Sequence, residues 1–313
     1  MKKSIGKYEK IRYNVCCKQY AIGLEISMNK ITIKGYAKIN LVLDVVGRLD
    51  NGYHLLRSIM QQIDIFDVIT IEKIPSGIHF TTNSTAIPVD ESNLAYRAAQ
   101  MILQKYHIEE GVSIHLEKRI PVAAGLAGGS ADAAAVFKGI NDLFELHLTL
   151  QELQEMGVKL GADIPFCISG KSALAEGIGE QLTQLSVIPT MYVVIAKPPI
   201  DVSTQYVYQH LDREHLTHPD TDGMIKALAN RDYMEVTRRL GNVLESVTTQ
   251  EYSIIGQLKQ AMLENGADGA LMSGSGPTVF GLFTSMELAK EAENRLQTQF
   301  PEVFIRAAGC ITE

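Results

Sequence analysis

Two charged residues and three glycine-bearing segments hold the chemistry open to this sequence. The densest segment is PVAAGLAGGSADAAA, which runs through Pro121, Val122, Ala123, Ala124, Gly125, Leu126, Ala127, Gly128, Gly129, Ser130 and Ala131. A strand-like run precedes it (112–120) and an alanine-rich run follows, giving the order strand, glycine loop, helix. The first turn of a helix offers N–H groups without partners and a partial positive charge, and glycines let a backbone approach an anion closely. Ser130 would cap that helix, or offer its hydroxyl to a phosphate-bound magnesium ion. No lysine follows Gly129, so this is not the phosphate loop Gly-x4-Gly-Lys-Ser/Thr, and the dinucleotide fingerprint Gly-x-Gly-x-x-Gly is absent. The same residues suit a plainer use, a sharp turn into a closely packed helix. Asp132 favours that use unless its carboxylate faces away from any phosphate. Alone, the segment is balanced between the two.

The second segment, LMSGSGPTVFGLF (271–283), places Ser273, Gly274, Ser275 and Gly276 between two short apolar strands. It reads as a hairpin turn whose small side chains would let a second backbone come close to the first loop. The third, LGADIPF (160–166), sets Asp163 between a helix end and a proline, where it either caps a turn or acts as general base toward an acceptor hydroxyl. A cation beside it would orient it and neutralise developing charge, while lowering its pKa. Lys38 in GYAKINLVL is the candidate cation, although it lies in a strand where Ile39, Leu41 and Leu43 alternate with Asn40 and Val42, and a lysine in such a strand usually sits on a solvated face. The turn DNGYH (50–54) carries Tyr53 and His54, either as hairpin surface or to stack on and hydrogen-bond a base. His210, His215 and His218 match no zinc spacing and read as an exposed loop.

These residues need a scaffold, and the patterning supplies one. Strands are expected over Ile31–Val46, 67–74 and 112–120, with helices over Asn93–Tyr106, Ser130–Leu146 and Leu150–Leu160, the last stopped by Gly161. A strand, a turn and a further strand (171–199) close a first half, and Pro198-Pro199 marks the boundary. Helices near 222–247 and 251–264 and strands near 270–272, 278–283 and 303–308 make the second half. The order indicates an α+β class rather than regular βαβ repeats. The expected division is an extension over 1–27, a first domain over 28–197 and a second over 198–313.

With 313 residues and 46% hydrophobic content, the chain can bury substantial cores. A net charge of −7 argues against a nucleic-acid binder. The longest clean apolar run, Met191–Ala196, falls far short of the roughly 20 residues of a membrane span. Four cysteines without a Cys-x-x-Cys pair point away from disulfides and structural zinc and toward a reducing cytoplasm. No signal-peptide core precedes Met28, and no apolar stripe demands an oligomer, so a monomer or weak homodimer is expected.

In combination the segments resemble the GHMP kinase superfamily over about residues 30–310. PVAAGLAGGSADAAA is similar to its glycine loop and MSGSGPTVFGLF to its C-terminal glycine motif. AKINLVLDVVGRLDNGYH, LGADIPF and SALAEGIGE resemble, in the same order, a member whose substrate carries a cytidine diphosphate. The resemblance implies an α+β, two-layer fold: an N-terminal half like ribosomal protein S5 domain 2 with a left-handed βαβ phosphate loop, a ferredoxin-like C-terminal half, and a cleft between them. It implies ATP and Mg²⁺, with phosphate transferred to a hydroxyl of a small molecule in isoprenoid precursor synthesis. Lys38 and Asp163 would be the catalytic pair, and residues 121–131 the ATP-phosphate cradle, with Asn93 and Lys118 near the nucleotide and Ser130 toward the metal. Asn40, Tyr53, His54, Thr204 and Tyr208 would meet the substrate. Two departures stand out. Ala131 replaces a serine, its N–H being expected to donate instead, and Gly35-Tyr36 replaces a frequent Ala-Pro. The rival readings are a kinase for homoserine or mevalonate, which DNGYH disfavours, and a catalytically silent regulator, which Lys38 and Asp163 disfavour.

Overall fold

The alternating run that starts at Ile31 extends further than its patterning marks, and it forms the spine of the molecule. The computed structural model describes residues 25–27, 29–50, 52–185 and 187–312. Strand β1 (Glu25–Ser27) lies antiparallel to β2 (Lys30–Arg48), so the expected extension contributes its last three residues to a sheet, and residues 1–24 lie outside the described chain. β2 pairs antiparallel with β3 (His54–Ile74) along nearly its whole length. Near its start β2 buries Ile31 and Ile33 and leaves Thr32 and Lys34 half-exposed, whereas every residue from Ala37 to Val45 is buried.

The first half continues through β4 (Ile78–Thr82), α1 (Leu94–Lys105), β5 (Gly111–Glu117), α2 (Gly128–Leu143), α3 (Leu150–Gly157), α4 (Ile164–Ser169), β6 (Ser172–Glu176) and β7 (Gln181–Gln184). β5 joins β3 antiparallel and β4 parallel, while β6 pairs with β3 and carries β7. α1 and α2 bury their alanine faces against the isoleucines of the sheet. The approach is close: a Cβ on Gly139 would lie 2.6 Å from Ile71 Cδ1.

The second half comprises β8 (Tyr192–Lys197), α5 (Thr204–Gln209), α6 (Thr221–Ala229), α7 (Tyr233–Arg238), β9 (Gly241–Asn242), α8 (Glu245–Glu251), α9 (Ser253–Glu264), β10 (Gly269–Met272), β11 (Val279–Phe283), α10 (Met286–Gln299) and β12 (Phe304–Gly309). Its antiparallel sheet has the order β10-β11-β8-β12, so the architecture is the expected mixture of helices and sheets. The expected boundary at Pro198-Pro199 needs correction. The strand before it does not close the first half; it is β8, an inner strand of the second sheet. Val193 and Ile195 join the first core while Val194 and Ala196 join the second, because this sheet is covered on both faces. Such a strand reads as an unbroken apolar run, which does not reveal its sheet. Conversely, β9 from the second half pairs parallel with β2. Among the described residues no helix is long and apolar enough to cross a membrane.

Candidate active site

Register shifts interrupt β2 between Tyr36 and Lys38 and again between Asn40 and Val42, and such bulges re-aim side chains. Lys38 is buried, 4% exposed, so the solvated-face reading does not hold. Its Nζ donates to Asn40 Oδ1 at 2.7 Å and lies 3.8 Å from Asp163 Oδ2. Asp163 stands at the N-terminus of α4, with Pro165 in the first turn, yet its side chain makes no capping hydrogen bond. The capping role therefore falls away and the carboxylate is left facing a cavity of about 770 Å³. Arg48, Tyr53, His54, Ser130, Thr204 and Tyr208 line the same cavity.

The glycine loop corrects two sequence expectations. α2 begins at Gly128, and its N-cap is Ala127 in the left-handed conformation (φ 56°), so Ser130 is the third helical residue and caps nothing. Ala131 N–H donates to the Ala127 carbonyl at 2.9 Å, so it is not available to replace a missing hydroxyl. The first-turn amides without a helical partner belong to Gly128, Gly129 and Ser130. Two tethers hold the loop. Lys38 N–H donates to the Leu126 carbonyl at 3.1 Å, and Ser273 Oγ donates to the Gly125 carbonyl at 2.9 Å. A Cβ on Gly125 would lie against the Ser273 carbonyl and 2.9 Å from that of Gly276. The two glycine loops thus meet backbone to backbone, as their small residues foreshadow. Gly35 has a similar reason: a Cβ there would lie 2.8 Å from the Ala131 carbonyl.

Beneath the loop lies a buried ionic triad. Lys118 Nζ bridges Asp67 at 2.5 Å and Asp132 at 2.8 Å, and Asp67 also accepts the N–H groups of Arg119 and Ile120. Asp132 points inward to this lysine, which answers the objection that it would repel phosphate. Burial, with Asp67 nearby, raises the Asp132 carboxyl well above the usual range despite the pull of Lys118. Burial alone would lower Lys118, but the two carboxylates hold its ammonium above the ordinary value. A Cβ on Gly128 would lie 2.9 Å from Lys118 Nζ, so the lysine supports the loop from below. Asn93 is also engaged: it caps α1 by accepting from Ala95 N–H at 2.8 Å and donates to the Pro88 carbonyl. Its neighbour Leu94 lies 3.6 Å from the Cβ position of Gly129.

At the other end of the cavity His54 stacks on Tyr208, with ring centroids 4.9 Å apart. Desolvation, then Arg48 and Arg213, lower the His54 pKa, so the ring stays neutral at pH 7. Burial and the Asp163 charge push the Tyr208 phenol up, and it stays protonated. Tyr53 is exposed at the rim, and Thr204 Oγ1 lies 2.8 Å from Ser275 Oγ. Asn40 has no free polar end. Its Oδ1 accepts from Lys38 and from Gly274 N–H at 3.1 Å, and its Nδ2 donates to Ser58 Oγ at 2.8 Å. Ser58 and Asn242 carried no spacing signal in the sequence, and Arg48 was not singled out within its motif. Only burial among apolar neighbours, or position in the cavity, singles them out.

Comparison with known proteins gives a consistent result. Family models described as GHMP kinases match twice, the N-terminal domain over residues 93–171 and the C-terminal one over 224–302. A Clostridium botulinum protein named 4-diphosphocytidyl-2-C-methyl-D-erythritol kinase is 46% identical over 274 residues, covering 87% of this chain and 98% of the relative. A protein of the same name from Caldicellulosiruptor saccharolyticus is 48% identical, covering 87% of this chain and 95% of the relative. A crystal structure of 4-(cytidine 5'-diphospho)-2C-methyl-D-erythritol kinase superposes with a TM-score of 0.77 at 33% identity, covering 89% of this chain and 98% of that one.

Proposed function

The chain belongs to the GHMP kinase family, and from that premise we propose that it transfers the γ-phosphoryl group of ATP to the 2-hydroxyl of 4-diphosphocytidyl-2-C-methyl-D-erythritol. The observation that carries this reading is the placing of one cavity between the Lys38–Asp163 pair and the His54–Tyr208 stack. The first supplies chemistry and the second supplies aromatic faces and an imidazole on which a base can be recognised. Asp163 accepts the proton of the attacking hydroxyl, and Lys38 orients that carboxylate and offsets the charge that builds up during transfer. The amides of Gly128, Gly129 and Ser130 neutralise the triphosphate from the helix end. His54, being neutral, offers one ring nitrogen as donor and one as acceptor, while Tyr53 and Tyr208 offer ring faces. Phosphoryl transfer depends chiefly on positioning and electrostatics, which a site of loop amides and two charges can provide.

A magnesium ion fits the oxygen donors present. Ser130, whose hydroxyl shares the cavity with Asp163, would hold it together with the phosphates, since Mg²⁺ usually takes few protein ligands beside phosphate oxygens. When bound it neutralises phosphate charge.

Coupled ADP release tests the reading, with the cytidyl substrate set beside homoserine and mevalonate. Release with the cytidyl substrate alone is expected, and release only with another alcohol overturns the assignment. Asp163→Asn is expected to keep ATP binding and to lose turnover by about 10²- to 10⁴-fold. Near-normal turnover removes Asp163 as the base.

A further inference from the structure

We propose that Asn242 is a positioning residue for phosphoryl transfer, acting on Lys38 through Gly274 and Asn40. The proposal rests on the role given to Lys38 above. Asn40 Oδ1 accepts from Lys38 Nζ and from Gly274 N–H at once, and its orientation is set from the far side. Ser58 Oγ donates to the Val42 carbonyl at 2.6 Å, which uses its one proton. Ser58 therefore accepts from Asn40 Nδ2, and the amide cannot flip without breaking this bond. The oxygen must face the lysine.

What holds Gly274 in place is Asn242. Its Nδ2 donates to the carbonyls of Met272 and Gly274, both at 2.8 Å, and its Oδ1 accepts from Leu244 N–H at 3.0 Å. Asn242 is itself carried by the strand that bears Lys38. β9 pairs it with Leu43, and Val243 N–H donates to the Leu43 carbonyl at 3.0 Å. A ring closes from β2 through Asn40, Gly274 and Asn242 back to β2. The side chains in it are buried, with Asn40 at 1%, Ser58 at 0% and Asn242 at 9% exposure. Asn242 does not line the cavity that holds Asp163 but a separate one, so it reaches the Lys38–Asp163 pair through its neighbours, of which the ring leads to Lys38.

Without the Asn242 side chain, two loop carbonyls lose their shared donor and Gly274 N–H is no longer fixed on Asn40. Lys38 then keeps its charge but loses its set distance to Asp163. Misplacing a reacting group by an ångström costs about 10²-fold in rate. Asn242→Ala is therefore expected to lower kcat about 10- to 100-fold with KM for the acceptor alcohol within about twofold.

A double-mutant cycle with Lys38→Met separates this role from a merely structural one. In the Lys38→Met background Asn242→Ala should lower kcat by less than about twofold, since the group it positions is already gone. Losses that multiply across the cycle overturn the proposal, as does a rise in KM with kcat unchanged. Asn242→Asp, which keeps the volume and the acceptor for Leu244 N–H but loses the donor to both carbonyls, should show the same non-additivity, and it decides the matter if Asn242→Ala does not fold. The cycle is run on whichever alcohol supports ADP release by the unaltered chain, so a wrong substrate assignment and a wrong role for Asn242 give different results.

Discussion

At the scale of single residues, His54 is where proton concentration reaches the site. Its ring is partly desolvated against Tyr208, and Arg48 and Arg213 disfavour a further positive charge, so its folded pKa lies below the ordinary value of 6.5. The folded protein therefore binds this proton less readily than the unfolded chain. Stability from this group is complete above the unfolded pKa and is lost as the pH falls through the lower folded value. The acceptor nitrogen is lost over the same range, because an imidazolium carries protons on both nitrogens. KM for the cytidyl substrate should thus rise below pH 6.5 while KM for ATP stays level. Steady-state profiles of wild type and His54→Gln check this, and the rise should vanish in the variant. An equal rise in His54→Gln would place the titrating group elsewhere.

At the scale of elements, the contact between the two glycine loops decides what each tolerates. Gly125 has a φ of 71°, but left-handed backbone is not the whole constraint, since Ala123 and Ala127 beside it sit at 51° and 56°. The decisive factor is space, because a Cβ on Gly125 meets the carbonyls of Ser273 and Gly276. Gly125→Ala should destabilise by about 1–3 kcal/mol, the usual cost of overpacking, and should raise KM for ATP as the loop is pushed aside. Gly129 meets only Leu94, at an ordinary 3.6 Å, so Gly129→Ala should leave Tm nearly unchanged. Calorimetry on the two variants gives the comparison, and equal losses of Tm would refute the argument from space.

Loops of this kind were legible in the sequence because glycine and serine spacing is local. The start of α2 was not, since a left-handed Ala127 sets it and alanine carries no such signal. The first half of β3 was also hidden. Ser58, Gln61 and Gln62 are buried there, and polar residues facing a core break the alternation by which a strand is recognised. Residue types offered Lys38 only as a candidate partner for Asp163, and resemblance turned the candidate into a pair. Their contact spans 125 positions (163 − 38), and no periodicity reaches that far.

At the scale of the whole molecule, the path of β8 determines whether the two halves can exist apart. β8 lies between β11 and β12, and its alternate residues feed the two cores. A cut at Pro198 would leave the second fragment without an inner strand, with Phe280 and Ile305 facing the gap. The first fragment would end in an unpaired apolar strand, the kind of edge that aggregates. A cut between β7 and β8, after Val187, leaves β8 with its own sheet. Co-expressed fragments 1–187 and 188–313 should therefore assemble and release ADP, whereas 1–197 with 198–313 should give insoluble or inactive protein. The parallel pairing of β9 with β2, and the apolar face of the second sheet on the first core, give the fragments of the first pair a reason to bind each other. Activity from the second pair and none from the first would mean that the prolines, and not the strand order, mark the folding boundary.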